Sequence, residues 1–169
     1  MIFNRFTRSA RRCVESAVEE ARALGHDSVG DEDLLLGVLE ADDGVAAEAL
    51  ASVGISLEDA REEDVRLFAG ALASVGVSFE EARRQAGEAF DLRSSASGRL
   101  PFSPRAKEAL EQSLQEALRL RHKEITGEHI LLGVLRNEHG TAVKILANLD
   151  VPVEAVEKRM DQLRPRTSW

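Results

Sequence analysis

A chain of 169 residues, 43% apolar but only 4% aromatic, can bury one sizeable core, and that core must be built from Leu, Val, Ala and Ile. A formal net charge of −8 disfavours phosphate backbones and anionic bilayers, so neither nucleic acid nor a membrane surface is an expected partner. The single cysteine, Cys13, excludes an internal disulfide and suits a reducing compartment; the basic start MIFNRFTRSARRC leads into no apolar run of leader or membrane-span length, and a cytoplasmic protein is expected.

The elements follow in chain order. Thr7 is a hydroxyl cap for a first helix whose apolar positions Ala10, Cys13, Val14, Ala17, Val18 and Leu24 recur at helical spacing. Gly25 suits a left-handed stop. Cys13 reads as a small buried hydrophobe on this face. DEDLLLGVLE (31–40) is a second helix, apolar on most sides and therefore buried. Gly37 inside it costs about 1 kcal/mol relative to Ala, which suggests that another backbone packs closely there. GVAAEALASV (44–53) and SLEDAREEDVRLF (56–68) supply two more helices, the last with Ser56 and Asp59 in capping-box order.

A local duplication comes next. ALASVGISLEDAR (49–61) returns as ALASVGVSFEEAR (71–83), ten of thirteen positions unchanged. It reads as an extra helix-turn-helix inserted in or after the first unit, and the sequence leaves open whether it makes new helices or lengthens existing ones. RSSASGR (93–99) has the composition of a linker.

The pattern then starts again. Ser103 and Pro104 occupy cap and first helical position, followed by Leu110, Leu114 and Leu120. Arg121 stands where the first copy has Gly25, so a different cap is expected. GEHILLGVLR, GTAVKILANL and PVEAVEKRMDQL complete the unit. At an offset of 96, 18 of 55 positions over residues 6–60 are identical, with LLGVL over LLGVL and Glu32 over Glu128. Two copies of one supersecondary unit predict an all-α, pseudo-twofold tandem repeat of two four-helix units. Its parts are 1–92 including the duplication, a 93–99 linker, 100–163, and a 164–169 tail, the two repeats sharing one compact monomeric domain.

Chemistry is sparse. No G-x-x-x-x-G-K-[ST] is present, and the chain contains no Gly-Lys dipeptide, so P-loop ATP hydrolysis is excluded. No nucleophile–base pairing or cofactor motif points to an enzyme. His26 and His122 hold equivalent places and read as loop-backbone partners, while His129 and His139 stand alone. With no ligand spacing and no supporting cluster, no metal site is expected.

RFTRSARR, EEARALGH, VGDEDLLLGVL, SPRAKEALE and GEHILLGVL resemble the double Clp repeat, the N-terminal domain of ClpC- and ClpA-type unfoldase ATPases, with wording nearest the actinobacterial ClpC type. The resemblance covers nearly the whole chain except the 22-residue insertion and the tail, and it implies a recognition domain without the ATPase modules. It also implies pockets for phosphoarginine, a degradation mark. Arg5, Thr7 and Glu32 match in the first copy, Ser103 and Glu128 in the second, where Pro101 and Pro104 replace Arg5 and Arg8. A helix start would take the phosphoryl group and a carboxylate the guanidinium. The same residues also serve as ordinary caps and dipole partners. A face with Phe3, Phe6, Phe102 and Lys107 matches the region where related domains bind cyclic-peptide antibiotics.

Two functions follow from the resemblance. One is substrate, adaptor or ligand recognition for ClpC–ClpP proteolysis. The other is an accessory role, docked on the Clp protease complex with vestigial pockets, as stand-alone plastid Clp-repeat proteins do.

Overall fold

Thr7 and Ser103 begin the two repeats in the same way, each hydroxyl accepting the backbone N–H three residues on, from Ala10 and Ala106, at 3.1 Å. The computed structural model describes residues 2–78, 80, 81, 84 and 100–165. After a 3-10 turn at Ile2–Arg5, the first repeat contains α1 (Arg8–Ala23), α2 (Asp31–Ala41), α3 (Val45–Ser52) and α4 (Leu57–Ser74). The second contains α5 (Pro104–Arg119), α6 (Gly127–Leu135), α7 (Thr141–Asn148) and α8 (Val153–Leu163). No described helix is long and apolar enough to cross a membrane. The predicted linker and the last four residues of the tail lie outside the described residues.

The central helices α2 and α6 are apolar nearly all round and sit inside one shared core. Their mid-helix glycines have a steric reason. A Cβ on Gly37 would overlap the carbonyl oxygen of Cys13 and lie 2.9 Å from the Ala17 nitrogen. One on Gly133 would overlap the Ala109 carbonyl and lie 2.9 Å from the Ser113 nitrogen. Helix backbones touch here, α1 on α2 and α5 on α6, through the small residues Cys13, Ala17, Ala109 and Ser113. Cys13 is fully buried, and burial, then the charge of Asp42, pushes its thiol up to about 12.

The repeats are tied by crossed backbone pairing. Phe6 pairs with Ile125, and Val29 pairs with Phe102. The Thr7 and Ile125 N–H groups donate to the Ile125 and Arg5 carbonyls, at 3.0 and 2.8 Å. The Ser103 and Val29 N–H groups donate to the Val29 and Pro101 carbonyls, both at 2.8 Å. Each repeat's leading segment thus runs beside the other repeat's loop.

Two expectations need correction. Arg121 does not use a different cap. It adopts the left-handed conformation (φ 59°) that Gly25 adopts (φ 76°), and the following His122 N–H reaches the Ala117 carbonyl just as His26 reaches Ala21, both at 2.8 Å. The strain of about 1–2 kcal/mol that a side chain meets there is overridden by the repeat's packing. The duplication, in its described part, lengthens an existing helix: Ala71–Ser74 is the last turn of α4, because nothing between Leu57 and Ser74 breaks a helix except Gly70, which is tolerated. The Gly76 turn (φ 78°) then repeats that at Gly54 (φ 88°), and Ser78 accepts the Glu81 N–H at 3.1 Å. The rest of the duplicate lies outside the described residues.

Candidate functional site

The sequence GDED places three acids in the first turn of α2, where the helix dipole favours them, but burial sends each in a different direction. Asp31 crosses to the second repeat and accepts the Ala142 N–H at 3.0 Å, capping α7. Asp33 turns back to accept the Gly30 N–H at 2.9 Å and meets His26 Nδ1 at 3.1 Å. Glu32 faces an opening of about 380 Å³ between the repeats, lined also by Ser28, Gly30, Ser103, Arg105 and Thr141. Burial, then the charges of Asp33 and Asp31, pushes the Glu32 carboxyl up to about 8.

The crossed pairing regroups the site residues expected from the sequence. Glu32 of the first repeat shares its opening with Ser103 of the second. The backbones of Arg5 and Thr7 run instead beside Ile125, three residues before Glu128. Hydrophobic periodicity says which face of a helix is buried, not which copy it meets, so the sequence grouped Thr7 with Glu32. Arg105, absent from the expected set, is the cation at the Glu32 opening. Its place in the first turn after Ser103 was the available signal.

Glu128 is not open like its equivalent. The guanidinium of Arg164 is held by its carboxylate and also pairs with Asp161 at 2.7 Å. Both partners are well buried, with side chains 15% and 7% exposed. Among the described residues, Glu32 has no arginine partner; its one ionic neighbour is His26 Nδ1, at 3.7 Å. Of the expected aromatic face, Phe6 is 4% exposed and belongs to the core, Phe102 is half-buried, and Lys107 is exposed. The Phe3 side chain lies outside the described residues.

The paired histidines bond side chains rather than loop backbone. His26 lies between Asp33 and Asp64, its Nε2 at 3.9 Å from Asp64 Oδ2, with its ring edge on Phe68. The expectation of no supporting carboxylate cluster fails here, because Asp64 comes from α4, 38 positions along the chain from His26, and no local spacing reveals it. In the second repeat His129 takes the place of Asp33. The Thr126 N–H donates to His129 Nδ1 at 2.9 Å, which leaves the proton on Nε2 to donate to His122 Nδ1 at 2.8 Å. Burial, then the neighbouring His122, holds His129 down to about 4, consistent with a neutral ring.

The family profile of the Clp repeat (R) N-terminal domain matches residues 5–78 and 101–168. The chain is 40% identical over 148 residues to the chloroplastic ClpA homologue, an ATP-binding subunit of the Clp protease, of Brassica napus, covering 88% of this chain and 14% of that protein. It is 37% identical over 162 residues to the ClpA homologue of Guillardia theta, covering 96% of this chain and 17% of that one. The chain thus spans about a seventh of the length of such relatives. Among solved structures it resembles the N-terminal domain of the ClpD chaperone of Arabidopsis thaliana, with a TM-score of 0.68 at 22% identity over 95% of this chain and 98% of that one. It also resembles the Hsp104 N-terminal domain of Candida albicans, with a TM-score of 0.65 at 14% identity over 94% and 91%. Two matched repeats, joined by crossed pairing around one core, make the chain a member of the Clp repeat N-terminal domain family.

Proposed function

We propose that the chain is a non-enzymatic recognition module for Clp-type proteolysis and that its working pocket, around Glu32, takes an arginine bearing a phosphoryl group. The observation that carries this reading is Arg164. Within this chain Glu128 already grips a guanidinium, and Glu32 is the same position of the repeat with no arginine in it. The phosphoryl group would lie toward Ser103, Arg105 and the first turn of α5. There the Ala106 N–H is taken by Ser103 Oγ, the Lys107 N–H by the Ser103 carbonyl, and Pro104 has none, so the Arg105 N–H is left for a ligand.

A few charge-assisted bonds, less desolvation and ordering, leave about 4–6 kcal/mol for one mark, or millimolar to tens of micromolar affinity. With the second pocket filled by Arg164, the chain binds one mark, weakly, and tight capture depends on several modules acting together. NMR titration with phosphoarginine tests this. Shifts at Glu32, Ser103 and Arg105 that vanish in Glu32→Ala and weaken in Arg105→Ala support the pocket. No shift at millimolar ligand retires it.

The accessory reading has one observation in its favour. Val75 and Val77, just past α4, are 72% and 39% exposed. Their counterparts in the first copy of the duplicated sequence are Val53, which is half-buried, and Ile55, which is buried. If docking on a Clp protease complex is the role, Val75→Asp with Val77→Asp removes it and leaves phosphoarginine shifts intact.

A further inference from the structure

Two carboxylate oxygens in the first repeat are buried and have no hydrogen-bond partner: Asp33 Oδ1 and Asp64 Oδ2. Asp33 is 0% exposed and Asp64 3%. An unpaired buried acceptor costs about 1–3 kcal/mol, so each needs an explanation. The two side chains converge with His26, and one donor atom from each of the three lies within 4.8 Å of the others. Glu32 adds a third carboxylate, 3.7 Å from His26 Nδ1. Even with a charged imidazolium, these four groups carry an excess of two negative charges when all three carboxylates are ionised. A water could satisfy the lone pairs but not the charge.

The second repeat has no such excess. His129 replaces Asp33, Met160 replaces Asp64, and Glu128 is neutralised by Arg164. The acid set is therefore not required by the repeat's fold. A pocket of about 240 Å³, lined by His26, Glu32, Asp64, Thr141 and Lys144, opens onto the cluster from solvent. Lys144 borders it but forms no ion pair with these carboxylates.

We propose that His26, Asp33 and Asp64 form a binding site for a first-row divalent cation of the zinc class, with Glu32 at its mouth. One imidazole with two carboxylates suits Zn²⁺ or its neighbours better than Ca²⁺ or Mg²⁺, which take all-oxygen shells. A cation would pair both orphaned oxygens and cancel the excess charge. The same crowding holds the Asp64 carboxyl up at about 7 through burial first, so without a cation protons partly take its place. The site stands on the first repeat's acids alone and is independent of phosphoarginine binding.

The test uses the full chain, stripped with chelator and then titrated with Zn²⁺ by calorimetry, with histidine ring signals followed by NMR. One Zn²⁺ per chain is expected, moving the His26 ring signals and leaving those of exposed His139 in place. Asp64→Asn and His26→Gln, each checked for folding by circular dichroism, should weaken binding at least about tenfold. Co²⁺ added to the wild-type chain gives a second readout, a visible absorption band showing nitrogen and oxygen ligation. No heat and no band at millimolar cation overturn the proposal. So does binding that persists unchanged in both variants or that moves His139 instead.

Discussion

The carboxylate of Asp31 crosses the repeat boundary to accept the backbone N–H of Ala142, so the first repeat caps a helix of the second. No reciprocal bond exists, because Gly127 stands at the equivalent position. Asp42 caps α3 instead, accepting the Gly44 and Ala47 N–H groups at 3.1 and 2.9 Å, and a Cβ on Gly127 would collide with its carboxylate. Asp31→Ala should therefore cost about 1–2 kcal/mol. At this chain length that lowers the melting midpoint by about 2–8 °C. Urea unfolding checks it through a lower midpoint at unchanged slope, and Asp31→Asn should recover part of the loss.

Three glycines separate close approach from open space. Gly37→Ala and Gly133→Ala push a methyl into a neighbouring helix backbone and should each cost about 3 kcal/mol. Gly70 lies in the exposed part of α4 with nothing within 4 Å of its missing Cβ, so Gly70→Ala should gain about 0.5–1 kcal/mol. Thermal melts of the three variants give the signs directly.

Arg164→Ala empties the second pocket and leaves Glu128 buried without its guanidinium. Breaking such a pair costs about 3 kcal/mol. The same variant should gain a phosphoarginine site, taking the stoichiometry from one to two. Calorimetry and NMR shifts at Glu128 distinguish this from simple destabilisation, in which no second site emerges.

In metal-free buffer, stability should fall as pH rises from about 6.5 to 9. Burial raises Glu32 to about 8 and Asp64 to about 7. Burial pulls the His26 imidazolium down, but the hydrogen bond and charge of Asp33 outweigh it and the net shift is upward. All three bind protons more tightly folded than unfolded, so their stabilisation is present at low pH and lost as pH rises through the folded values. His129, held down to about 4, acts oppositely, but only below its ordinary value near 6.5. Glu116 is lowered as well: burial raises it, yet the bonds from Arg136 and Arg119 prevail, and its contribution is lost only in acid. Melting midpoints across pH 6.5–9 should slope downward in the wild type and flatten in Asp64→Asn. Phosphoarginine affinity should move the other way, rising toward pH 8, because a guanidinium needs the ionised form of Glu32.

The parts of this fold that were legible in the sequence are those set by neighbours in the chain. Thr7, Ser56 and Ser103 announce helix starts within four residues, and LLGVL announces its buried helix twice. The glycines at 37 and 133 announced a close contact without saying with what. The site was less legible because it is built across the repeats. Ser103 meets Glu32, Asp64 meets His26, and Arg164 meets Glu128, each over a separation at which spacing carries no information. One signal was available, the comparison of the two copies with each other. Asp33 against His129 and Asp64 against Met160 mark where one repeat carries acid that the other does not.

The crossed pairing of Phe6 with Ile125 and of Val29 with Phe102 has the symmetry of an isologous contact, in which one patch meets itself about a twofold axis. In geometry the molecule is a homodimer whose two subunits share one polypeptide. Joining them allowed the halves to diverge without losing their partner. One half could fill its carboxylate pocket with its own arginine while the other kept that pocket open and gathered acid around His26.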